Sequence, residues 1–174
     1  MSEKNLGFIL NRRSCRDFQP DPLKEGDLEN LMESLRWAPS AGNCQPWHFY
    51  VVTHQEKKVE LSRAAYGQSF IADAPVVFVI CANAEESARG YGNRGRTLYC
   101  LQDTAAATEN LLLAATALGY GSCWIGAFDE GAASEVLDIP QHLRPVAIVP
   151  VGYPRSVEPR TSRKTVKEIF EFID

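Results

Sequence analysis

The 174-residue sequence contains no C-x-x-C pair, and its three histidines complete no zinc motif with its cysteines. A zinc site is therefore not expected. The five cysteines (Cys15, Cys44, Cys81, Cys100 and Cys123) are odd in number and scattered. With no signal-like segment, they point to a reducing, cytoplasmic setting. No apolar run approaches the ~18 residues of a membrane-spanning helix. A Ser/His/Asp or paired-carboxylate pattern is missing too, so no protein nucleophile or acid–base pair is indicated. Excess positive charge is also lacking. The formal net charge is -4, which argues against a general affinity for nucleic acid or membrane surfaces. Without repeats, low-complexity segments or a linker, the chain reads as one domain over residues 1–174. Such a domain should bury roughly 70% of its unfolded surface.

What is present is the composition of an ordinary globular protein, 45% hydrophobic and 23% charged. Leu28, Leu31, Met32, Leu35 and Ala38 recur at helical spacing, and Pro39 is expected to end that helix. "WHFYVV" (47–52) predicts a strand, and Thr53 with Glu56 predicts a T-x-x-E capping box for the next helix. "PVVFVICA" (75–82) reads as a central strand, with Cys81 in the core. Residues 83–97 are polar and glycine-rich and read as a loop. A helix is expected over 98–118, apolar almost all round, with Gly119 at C′. "SCWIGAF" predicts a strand with Cys123 in the core, "EGAASEVL" a short helix, and "RPVAIVPVGYP" the last clear strand. The tail "KTVKEIFEFID" carries Val166, Ile169, Phe170 and Phe172 and needs a surface to dock on.

Three stretches could carry chemistry. "GYGNRG" (90–95) matches G-x-G-x-x-G, yet it does not directly follow a strand, and Asp129 comes too late to read a ribose. It reads as a surface loop rather than a dinucleotide cradle. "NRRSCRDF" (11–18) is more informative: Arg12, Arg13, Ser14 and Arg16 offer guanidinium forks and a hydroxyl suited to a phosphate or another flat polar edge. Arg160, Arg163 and Lys164 could close on the same anion from the far end of the chain. Between Pro39 and Pro46, the residues Ser40, Ala41, Asn43 and Gln45 form a stiff loop of small and polar groups, more than a plain helix–strand connection requires. His48, inside a strand, is expected to be packed or at an interface rather than catalytic.

Taken in order, "RRSCRDF", "APSAGNCQPWHFYVV", "LGYGSCWIGAF" and "VAIVPVGYP" resemble the nitroreductase family of FMN-dependent oxidoreductases, over about Asn11 to Val166. The resemblance implies an α+β fold, an α/β/α sandwich around a mainly antiparallel sheet. It also implies an intertwined homodimer with two FMN sites at its interface. By position, Arg12 would face the phosphate and Arg16 the pyrimidine edge, with Arg13 and Ser14 in the same segment. Pro39, Ser40, Ala41, Asn43 and Gln45 would reach FMN from the other subunit, and Gln68 would lie near the ring. The backbone of Trp124, Ile125 and Gly126 would run along the ring near N5, although Trp124 would equally suit a core. Arg163 matches a C-terminal phosphate ligand, with Arg160 as a second. The implied activity is ping-pong transfer from NADH or NADPH to a nitroaromatic, quinone or similar small acceptor. No metal is called for, because flavin carries the chemistry and the protein binds and orients it. The alternatives are a flavin-binding or storage module without turnover, which a short loop at 83–97 that leaves the site less covered would favour, and a same-fold reductive dehalogenase or flavin-modifying enzyme.

Overall fold

The computed structural model describes residues 6–156 and 158–173. In chain order its helices are α1 (Gly7–Asn11), α2 (Asp27–Arg36), α3 (Gln55–Ala64), α4 (Phe70–Asp73), α5 (Ala84–Arg94), α6 (Cys100–Ala117), α7 (Glu130–Leu137) and α8 (Val166–Ile169). The strands are β1 (Trp47–Val52), β2 (Val76–Ala82), β3 (Gly121–Ser122) and β4 (Arg144–Gly152). They form one antiparallel sheet in the order β1-β2-β4-β3. The α+β expectation holds.

Strand β2 explains the layering. Every residue from Val76 to Ala82 is buried, and the two-residue period of a strand sends alternate side chains to opposite faces. Val77, Val79 and Cys81 join Leu61 of α3, Ala133 of α7 and Ile148 of β4 on one side. Val76, Phe78 and Ile80 join Leu31 and Leu35 of α2 and Leu111 of α6 on the other. A helical layer on each face makes the sandwich, and a strand apolar on both faces has to lie between such layers.

Several expectations need correction. Helix α2 buries Leu31 and Leu35, but it ends at Arg36, before Pro39, and leaves Met32 exposed. The capping box at Thr53 does not form. His54 takes the extended N-cap conformation, with no side-chain bond to the helix, so Glu56 falls at the second helical position rather than the third. Residues 83–97 are not a loop: α5 leads through a π-helical turn, Gly95–Tyr99, straight into α6. Gly92, at φ 56 and ψ -138, kinks α5, while Gly95 packs against the backbone of Ser87 where a Cβ would clash. Glycine here builds a tight helical hairpin. In α6 the buried residues Cys100, Asp103, Thr104, Ala107, Thr108, Leu111, Leu112 and Ala115 form one stripe, not the whole circumference. Gly119 follows it at φ 85, as a C′ residue should.

"SCWIGAF" is only partly strand. Gly121 and Ser122 pair with β4, and Ile125 makes a separate bridge to Ile148. Ser122 also serves a second neighbour: its carbonyl accepts the Cys15 N–H at 2.9 Å, and Ser14 bridges it in parallel. The arginine-bearing segment is thereby stitched to the β3 edge of the sheet.

Candidate functional site

The stitching at Ser122 decides where the basic residues go. Helix α1 ends at Asn11, and the chain then runs extended beside β3. A cavity of ≈ 620 Å³ opens there, lined by Arg12, Arg13, Arg160 and Arg163 with Glu109 as its acid. A second of ≈ 210 Å³ adjoins it, sharing Arg12, Arg13 and Arg163 and adding Ser14, Arg16 and Glu158. Basic residues from opposite ends of the sequence thus meet in one place.

Their donors are not equally available. Arg13 donates to the carbonyls of Leu10 and Arg12 at 2.9 and 2.8 Å, and Arg160 donates to Leu10 at 2.9 Å. These two secure the end of α1. Arg163 spends one amino group on Thr161 and Ser162. Arg12 is loosely paired, 3.9 Å from Glu109. A half-buried guanidinium with so distant a partner is well suited to receive a dianionic phosphate.

Residues 122–127 continue from the joint at Ser122, where Ser14 of the smaller cavity's lining bridges the sheet edge. Burial pushes the Cys123 thiol above its ordinary range, while Arg16, Ser14 and Arg12 pull it back. Ser14 bridges the neighbouring Ser122, so the arginine-bearing segment runs beside Cys123. Exposure alternates along the segment, with Ile125 buried in the core and Trp124 and Gly126 exposed. At 40% exposure Trp124 is not a core residue. Gln68 is tied to the same segment through its amide, which donates to Ala65 O at 3.0 Å and Ala127 O at 3.2 Å. The buried Ser122 hydroxyl has no protein partner among the described residues, so a polar group remains available at the joint between segments.

Loop 39–45 lies elsewhere, leading into β1 at the opposite edge of the sheet. Its shape is held from several sides. Gly42, Asn43 and Gln45 all adopt positive φ, at 54°, 55° and 49°, a conformation that costs side-chain-bearing residues energy. The Ser40 hydroxyl accepts the Gln45 N–H at 3.0 Å, and Asp103 accepts the Ala41 N–H at 3.1 Å. The Tyr91 hydroxyl lies against Gly42, where a Cβ would displace it. One chain therefore presents two half-sites, one at each edge of its sheet. His48 is exposed and packs edge-on to Tyr50.

Three participants were missed from the sequence: Glu109, Tyr91 and Asp103. Asp103 was detectable, being the one acid on the 100, 103, 104, 107 stripe of an otherwise apolar and hydroxyl-bearing helix face. Tyr91 was hidden by reading its segment as a loop.

A model of the Nitroreductase family matches residues 9–69 and 58–153. A provisionally named NADH dehydrogenase/NAD(P)H nitroreductase of Archaeoglobus fulgidus is 36% identical over 157 residues, covering 88% of this chain and 87% of the relative. An FMN reductase (NADPH) of Bacillus subtilis is 30% identical over 174 residues, covering 91% and 70%. The crystal structure of a nitroreductase-like protein from Streptococcus mutans superposes with a TM-score of 0.90 at 26% identity, covering 100% of both chains.

Proposed function

The chain belongs to the Nitroreductase family, and from that premise we propose that it is an FMN-dependent oxidoreductase. It carries reducing equivalents from NADH or NADPH to a nitroaromatic, quinone or similar small acceptor, in a ping-pong cycle. The observation that supports this most is the pair of adjoining arginine-lined cavities, tied to the sheet edge by the bridge from Ser14 to Ser122. Arg12 and Arg163 would hold the phosphate of FMN, with Arg13 and Arg160 fixing the cavity wall. Arg16 would face the pyrimidine edge, where a cation stabilises negative charge on the reduced ring. Gln68 and the backbone at Trp124, Ile125 and Gly126 would flank the ring. Pro39, Ser40, Ala41, Asn43 and Gln45 would complete the site from a second copy of the chain, since within one copy they lie at the other sheet edge. When bound, FMN would supply the two-electron chemistry, accepting hydride from the nicotinamide and passing it to the acceptor. The storage-module alternative rests on the shortness of residues 83–97, which form a helical hairpin carrying Tyr91 against loop 39–45.

The test has a binding arm and a kinetic arm. Purified protein should release FMN and bind riboflavin more weakly. Arg12→Ala should cost about 1.5–3 kcal/mol in FMN affinity, about ten- to hundredfold. Initial-rate plots against NAD(P)H at several acceptor concentrations should be parallel. Equal affinity for FMN and riboflavin would refute the phosphate assignment, and flavin-loaded protein that oxidises no NAD(P)H would favour the storage module.

A further inference from the structure

We propose that Arg94, carried on the α5 hairpin, is an anion-recognition group for a phosphate or carboxylate on a substrate of this site. The inference rests on the reading above that loop 39–45 borders the flavin. The hairpin carries three arginines with different commitments. Arg89 pairs with Glu86 at 2.7 Å, and Arg96 forms a two-pronged pair with Glu85 at 2.9 and 2.7 Å. Arg94 forms no ion pair among the described residues. Its Nε donates to the Tyr99 hydroxyl at 2.9 Å, and its guanidinium sits over the Tyr99 ring, 5.3 Å from the centroid.

Tyr99 connects this cation to the loop. Its ring meets Tyr91 edge-on at 5.2 Å, and the Tyr91 hydroxyl rests on Gly42. Gly42, Tyr91, Tyr99 and Arg94 therefore form a continuous ledge from the loop to an exposed cation. Stacking on an aromatic ring orients a guanidinium and lessens its hydration. With Nε engaged, the two amino groups still present the fork that matches a phosphate or carboxylate. The cavity at Arg12 and Arg163 is assigned to the cofactor's phosphate, so a further anion on a substrate needs a cation of its own. Two sources would supply one: the 2′-phosphate of NADPH, or a carboxylate on the acceptor.

Both sources can be separated with flavin-loaded wild type, Arg94→Ala and Arg94→Lys. The measurements are kcat/KM for NADPH and for NADH with a neutral quinone, and for 4-nitrobenzoate and nitrobenzene with NADH. Calorimetric titrations of 2′,5′-ADP against 5′-AMP, and of 4-nitrobenzoate, read binding without turnover. Arg94→Ala should lower kcat/KM for one anionic partner, relative to its uncharged counterpart, by about ten- to hundredfold, with the matching loss of affinity. Arg94→Lys should recover part of it. Selective loss with NADPH and 2′,5′-ADP assigns the anion to the reductant; selective loss with 4-nitrobenzoate assigns it to the acceptor. Uniform change across both pairs, or none, overturns the proposal. Flavin content is a separate readout: wild type without FMN sinks the functional reading, and the titrations then still decide Arg94.

Discussion

Asp103 is the one carboxylate buried among the described residues, and it is only half satisfied. One oxygen accepts the Ala41 N–H, while the other is buried without a partner. Burial pushes its carboxyl above the usual range, and the bond from Ala41 pulls it back. In the unfolded chain it would ionise near the ordinary value of about 4. A folded-state value above the unfolded one gives stability that is full below about pH 4 and lost as pH rises through the folded value. Asp103→Asn keeps a carbonyl for Ala41 and removes the ionisation. It should therefore melt higher than wild type at pH 7, with the gap closing towards pH 4. A gap independent of pH would contradict this. Asp103→Leu leaves the Ala41 N–H without its partner, a cost of about 1–3 kcal/mol, and should also weaken FMN binding by loosening loop 39–45. Rescue of that binding by asparagine would separate positioning from general packing.

At the scale of elements, the sequence was legible where burial dominates. β2 and β4 were recognised from apolar runs, because a strand covered on both faces has little room for polar residues. Segments whose shape depends on particular tertiary contacts were less legible. Residues 83–97 carry several glycines and charges, which local propensity assigns to a loop. Yet Gly95 is there so that the π-helical turn can lie on Ser87, a requirement set by a neighbour rather than by the segment itself. The T-x-x-E pattern makes the same point. It fails at Thr53, where the helix starts one residue late, and succeeds at Thr165, where Glu168 closes a genuine capping box. Among site residues, the arginines were visible as clusters, while Asp103, Tyr91 and Arg94 act through packing that spacing alone does not reveal. Gly95→Val should drive a side chain into the α5 backbone and destabilise the fold by about 1–3 kcal/mol. Urea denaturation would read this as a lower midpoint at unchanged slope. It should also disturb Tyr91 and Tyr99 and lower NADPH or 4-nitrobenzoate turnover. An unchanged midpoint would mean that the hairpin packs more loosely than its geometry implies.

For the molecule as a whole, the question is what covers its apolar ends. Phe170, Phe172 and Ile173 are 61%, 85% and 86% exposed, and Leu6, Phe8, Ile9 and Leu10 are exposed as well. Scattered exposed apolar residues are ordinary, but sequence-adjacent runs of this kind mark contact surfaces. The half-sites raise the same need, since loop 39–45 and the arginine cavity sit at opposite edges of one sheet. A twofold dimer meets both requirements: an isologous contact brings each chain's loop to the other's cavity and gives both tails a surface. We therefore expect an obligate homodimer with an apolar interface well above the ~1,600 Å² of a standard-sized contact. FMN touching both chains would then stabilise the assembly by mass action, so flavin loss and dimer loss should be linked. Removing residues 165–174 takes away the capped helix α8 and the phenylalanines, but not Arg160 or Arg163. That truncation should lower dimer stability and flavin occupancy together, and excess FMN should partly restore the dimer. Analytical ultracentrifugation with detection at a flavin wavelength measures both quantities at once. Full-length protein sedimenting as a monomer that still carries one FMN would mean that each chain completes its own site, and the shared-site dimer would have to be abandoned.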